Sequence, residues 1–101
     1  MNKLVRDGRV AVLYSPGYGA GWYSWHQMED LLYDPSIVLW LESEEPDKIQ
    51  NYLTLKYPGE YFGGLEDLSI QWIDQGAEFR ITEYDGAEVI ELKANTRWLI
   101  A

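Results

Sequence analysis

The stretch Leu68–Leu92, LSIQWIDQGAEFRITEYDGAEVIEL, decides the fold. Leu68, Ile70 and Trp72 alternate with polar residues, the period-two pattern of a strand buried on one face. Gln75-Gly76 turns that strand, and Phe79 and Ile81 alternate with Arg80 and Thr82 in the next. Asp85-Gly86 is the strongest local signal in the chain, because a two-residue type I′ turn needs positive φ at both positions and Asp-Gly tolerates it. Val89 to Leu92 returns as a third strand, and Arg97 to Ile100 reads as a fourth. The order predicts a C-terminal antiparallel β-meander.

Upstream the periodicity changes. Met1 to Gly8 is short and mixed, and with Arg9 it holds the most basic stretch of the chain. Arg9 to Tyr14 (RVAVLY) reads as a strand of β-formers that Ser15-Pro16-Gly17 breaks. Met28, Leu31 and Leu32 recur at helical spacing and predict a short helix over Trp25–Tyr33. Ser36–Glu42 is apolar on all sides, a buried helix or a buried strand, and Asp34-Pro35, an N-cap followed by proline at the first helical position, favours the helix. Ser43 to Asp47 repeats the start signal ahead of the stripe Ile49, Tyr52, Leu53, Tyr57, which Pro58-Gly59 ends. The fold class is therefore α+β, with an N-terminal strand, two to three short helices and then the meander, in one domain spanning residues 1–101.

The 101 residues are 47% hydrophobic and 25% charged, ordinary for a globular chain, but 15% are aromatic. Five Trp and eight Tyr against two Phe give most rings a hydrogen-bonding tip, suited to pocket walls and interfaces. That surplus exceeds what a core of this size hides, so a homo-oligomer is expected. Seventeen acids against eight bases leave a net charge of −9, which argues against direct nucleic-acid binding. Apolar runs reach only five residues (Ile37–Leu41), far short of the ~20 a membrane span needs, and no signal peptide is read at Met1. With no Cys, disulfides and thiolate metal sites are excluded.

The loop SPGYGAGW carries the most informative chemistry. A strand leading into Gly17-Tyr18-Gly19-Ala20-Gly21 and then a helix is a context in which backbone N–H groups cradle an anion. No Lys-Ser/Thr follows the glycines as in a P-loop, and the dinucleotide spacing is not met. The same glycines equally satisfy a tight turn with no ligand. Tyr14, Tyr18, Trp22, Tyr23 and Trp25 crowd the loop, and stacking a planar base between rings uses such a set. Tyr18 and Trp22 are expected to be exposed and Trp25 to be in the core. A second small-and-aromatic patch, Pro58 to Gly64, either forms the facing wall or only connects helix to strand. The candidate ligand-binding residues are Ser15, Gly17, Tyr18, Gly19, Ala20, Gly21, Trp22, Tyr23, Arg9, Tyr61, Gly63 and Gly64. Lys3, Arg6 and Arg9, with Arg80 or Arg97, would answer the charge of an anionic ligand.

Enzyme chemistry is disfavoured. His26 is the lone histidine and is read as solvent-facing or capping; neither Ser15 nor Ser24 sits in a nucleophile elbow. Adjacent carboxylates such as Glu66/Asp67 are expected by chance among 17 acids. No metal or cofactor is expected. Acidity also allows a second reading, in which the chain imitates the phosphate field of DNA and occupies a host nucleic-acid-binding or defence protein.

LYSPGYGAGW (Leu13–Trp22), YFGGLEDLSIQWIDQGAEFRI (Tyr61–Ile81) and TEYDGAE (Thr82–Glu88) together resemble a group of small bacteriophage proteins with an SPGxGAGW motif, over most of Val10 to Glu91. The resemblance implies a phage accessory protein acting in the host bacterial cytoplasm. By analogy of class it implies an anti-defence sponge that sequesters a small nucleotide-derived immune signal without cleaving it. It brings no binding residues to carry over.

Overall fold

A computed structural model describes residues 2–19 and 21–93. The order is β1 (Val5–Arg6), β2 (Arg9–Tyr14), α1 (Tyr23–His26), α2 (Asp30–Tyr33), α3 (Pro35–Glu42), α4 (Pro46–Lys56), β3 (Ser69–Asp74), β4 (Phe79–Tyr84) and β5 (Ala87–Leu92). This is the expected α+β arrangement with antiparallel C-terminal strands, but the anticipated meander is split between two sheets, β1-β2-β3 and β4-β5: β3 pairs with β2, and only β4 and β5 pair in succession. The strand anticipated over Arg97–Ile100 lies outside the described residues.

The run RVAVLY is apolar at successive positions because β2 is covered on both faces. Ala11 and Leu13 join Ile37, Val38, Ile49 and Leu53 of the long helices. Val10 and Val12 join Leu32, Ile73 and Ile90, between the sheet and the hairpin. The molecule thus has three layers: α3 and α4, the three-stranded sheet, and the β4–β5 hairpin. Each fully buried Leu or Ile in these clusters contributes about 1.5–3 kcal/mol of transfer free energy.

β3 pairs along the whole of β2, Val10 opposite Ile73 and Leu13 opposite Ile70. After Asp74 the chain leaves that sheet. The Gln75 N–H donates to the Gly8 carbonyl at 2.8 Å, and Gly76 at φ 88° redirects the chain into the hairpin layer. A two-stranded ribbon is marginal by itself. Here Phe79, Ile81, Ile90 and Leu92 bring one apolar face onto the Val10–Val12 side of the sheet. The other face carries the Arg80–Glu91 ion pair and the exposed Val89 and Tyr84.

The cap of α3 follows the sequence reading, whereas α4 opens at Pro46 with no side-chain cap bond from Glu45. The Asp34 carboxylate accepts from the N–H groups of Ser36 (3.0 Å) and Ile37 (3.4 Å), and Pro35 opens α3. The single helix expected over Trp25–Tyr33 is instead two turns, α1 and α2. Gln27, left-handed at φ 53°, ends the first by donating its N–H to the Tyr23 carbonyl. The break lets Leu31 enter the helical cluster and Leu32 the hairpin cluster.

Candidate functional site

The glycine loop does not stand free; it docks onto the Asp85–Gly86 turn. That turn has φ of 52° and 82°, as its sequence predicts. The Gly19 N–H donates to the Asp85 carbonyl at 2.8 Å. Gly86 meets the backbone of Gly19 so closely that a Cβ there would overlap the Gly19 carbonyl. Gly17 likewise has no room for a Cβ beside the Asp67 carboxyl, nor Gly21 beside the Ser24 hydroxyl. Gly86 is required by close approach of backbone to backbone, whereas a Cβ at Gly17 or Gly21 would have to displace the Asp67 or Ser24 side chain.

The anion that this loop cradles is the protein's own. Glu88 is fully buried, and its carboxylate accepts the N–H of Ser15 at 2.9 Å and the N–H of Ser24 at 2.7 Å. Its own N–H donates to the Ser15 carbonyl at 2.7 Å. One hairpin residue therefore ties the end of β2 to the first turn of α1. The hydroxyls of Ser15 and Ser24 are buried without a hydrogen-bond partner among the described residues.

The aromatic residues divide differently from expectation. Trp22 is fully buried, its indole N–H donating to the Leu31 carbonyl at 2.7 Å and its ring 5.6 Å from Phe62. Trp25 is 60% exposed. Both assignments reverse because the helix begins at Tyr23, which places Trp22 beneath the loop and Trp25 outside. Tyr23 is partly buried against both clusters. His26 is mostly covered, its ring 4.7 Å from that of Phe62 and its Nε2 2.9 Å from the Tyr61 carbonyl, a group that only accepts. This contact joins α1 to the second glycine patch.

Between the two patches lies a cleft of about 360 Å³ lined by Tyr18, Tyr61, Phe62, Gly64, Glu66 and Asp67, with Gln50 and Leu65 at its sides. Of the residues singled out from sequence, Tyr18, Tyr61 and Gly64 come together here. Gly63 is buried near them without lining the cleft, and Ala20 lies outside the described residues. Arg9 belongs elsewhere: it pairs with Asp74 at 3.4 Å and borders a separate cleft with Arg6, Glu42 and Trp72. Glu88 carries no sequence signal, Glu66/Asp67 read as chance adjacency, and Phe62 lies within the Pro58–Gly64 patch without standing out from it. Glu88 looks like any other acid on an alternating strand, and only the docking of two distant turns sets it apart.

No basic side chain lines this cleft. Among the described residues Arg6, Arg9, Lys48, Lys56, Arg80 and Lys93 each pair with a carboxylate, and Lys3 lies over the Tyr33 ring. A second polar cluster links α3 to α4. The Tyr52 hydroxyl donates to Asp34 at 2.5 Å and accepts from Lys56 at 3.0 Å. Burial, then the bond to Asp34, pushes the Tyr52 hydroxyl above its usual range, so it keeps its proton at neutral pH. The bond to Tyr52 holds Lys56 protonated, well above the ordinary lysine range. This cluster is an inter-helix clamp. Among the described residues no group of His, Asp and Glu is placed to hold a metal ion, and no helix is long and apolar enough to cross a membrane.

Compared with protein-family models, curated proteins and solved structures, the chain matches none. Its function is read from its own chemistry.

Proposed function

We propose that the protein works by stoichiometric capture, holding a partner at the glycine-loop end without transforming it, as the phage accessory role implied by its sequence resemblance would require. One observation carries the reading: two exposed tyrosines, Tyr18 and Tyr61, border a cleft with Glu66 and Asp67, while the loop N–H groups of Ser15 and Gly19 are engaged within the protein. Rings beside uncompensated carboxylates recognise ring-bearing or cationic groups and repel phosphates. The occupant that this favours is a basic protein surface, so the chain is an acidic inhibitor of a host nucleic-acid-binding or defence protein.

Capture of a small nucleotide-derived signal is the second reading, favoured by the size of the cleft and by its pair of tyrosine rings, which suit one stacked base. Calorimetric titration with mono- and dinucleotides, and separately with a basic DNA-binding domain, discriminates the two. Capture requires saturable binding, loss of binding in a Tyr18→Ala/Tyr61→Ala variant, and release of the ligand with unchanged mass after heating. A ligand returned chemically altered, or binding indifferent to the two tyrosines, overturns the proposal.

A further inference from the structure

Resting on that capture reading, we infer that the occupant is an arginine-bearing segment of a partner protein. Three segments meet at this end, 15–27, 57–67 and 83–88, joined by the Gly19–Asp85, Ser24–Glu88 and His26–Tyr61 hydrogen bonds. Together they contain no Lys or Arg and six carboxylates: Glu60, Glu66, Asp67, Glu83, Asp85 and Glu88. Glu88 is used internally, and Glu83 accepts the Gly86 N–H at 2.7 Å; all but Glu88 are exposed. The same segments carry Tyr18, Trp25, Tyr61 and Tyr84, all between 60% and 78% exposed. Exposed Tyr and Trp in one region mark interaction surfaces.

Rings interspersed with carboxylates match a guanidinium better than an ammonium. The guanidinium plane stacks on an aromatic face, its fork binds a carboxylate through two parallel N–H bonds, and it sheds water more readily than lysine does. The molecule already contains this arrangement once. The Arg6 guanidinium sits 5.3 Å from the Trp72 ring centroid while donating to both oxygens of Glu42 at 2.6 and 2.8 Å. The glycine-loop end presents rings and carboxylates of the same kind with no Lys or Arg of its own, and its one histidine, His26, has Nδ1 3.9 Å from Glu60.

Titration of the intact protein with octa-arginine and octa-lysine peptides tests the assignment. Octa-arginine is expected to bind about tenfold more tightly than octa-lysine, and the binding to weaken with salt. The Trp25→Ala/Tyr61→Ala variant, altered only at exposed rings and checked by its unchanged melting temperature, should lose about tenfold for octa-arginine. A Glu44→Gln/Asp47→Asn control, which removes two charges at the start of α4, should stay within about twofold. Equal binding of the two peptides, or a control that weakens as much as the ring variant, overturns the inference. If a dinucleotide binds in a tyrosine-dependent way and octa-arginine does not, the arginine assignment falls and capture stands. If neither binds, both fall.

Discussion

Glu88→Gln replaces one oxygen by NH₂ with almost no change of shape, and it tests whether the buried carboxylate holds the glycine loop. In the parent, both oxygens accept backbone N–H groups, from Ser15 at 2.9 Å and from Ser24 at 2.7 Å, at a residue with no exposure. A glutamine can accept from only one of them; the other N–H then faces a second donor in a site closed to water. The lost charge-assisted bond is worth about 1.5–3 kcal/mol, and the stranded N–H costs about 1–3 kcal/mol more. Burying a neutral amide instead of a charge returns part of this, leaving an expected loss of about 2–3 kcal/mol. For a domain of this size that lowers Tm by roughly 10–20 °C. Thermal melts by circular dichroism, beside an exposed control such as Glu91→Gln, measure the loss. Amide hydrogen exchange should show Ser15 or Ser24 losing protection first. A Glu88→Gln protein melting within about 2 °C of the parent would show that the buried carboxylate does not hold the loop.

Gly86→Ala and Gly8→Ala form a matched pair, since both glycines follow an aspartate in a tight turn at positive φ (82° and 76°). Nothing lies near Gly8, so alanine there should cost about 1 kcal/mol of backbone strain; at Gly86 it also strikes Gly19 and should cost several times more in denaturant melts. Trp22→Ala should destabilise by about 3–5 kcal/mol and Trp25→Ala by under about 0.5 kcal/mol; equal costs would reverse their placement. Because Tyr52 is held protonated in the fold, first by burial and then by Asp34, its contribution is complete below the unfolded tyrosine pKa of about 10 and is lost as pH rises beyond it. Stability should therefore fall above about pH 10, and less steeply in Tyr52→Phe; parallel curves for the two proteins would sink this account.

Local signals served the fold well where they had local causes. Asp34-Pro35 capped α3, and Asp85-Gly86 made its turn, because each needs only its own residues. Asp7-Gly8, an identical dipeptide, joins β1 to β2 with φ of 51° and 76° but gives no such signal. Its flanking strand, Val5–Arg6, is too short to show alternation. The partner of β3 was equally hidden. Ser69–Asp74 follows the helices and precedes the hairpin, yet it pairs with β2, about 60 residues earlier, and no periodicity encodes that choice. At the candidate site, composition pointed to the two patches that border the cleft. It could not show that the loop amides were already bonded to Glu88, because that bond spans 73 positions.

That span has a kinetic meaning. The glycine loop emerges early in synthesis but cannot settle until Glu88 has followed it, so its geometry belongs among the last steps of folding. Closing so long a loop costs entropy before any contact compensates, which makes folding slower than in a domain of the same size held by local contacts alone. Until the hairpin arrives the chain would expose the Val10–Val12 side of its sheet, and the proposed capture surface would form only once Glu88 is in place.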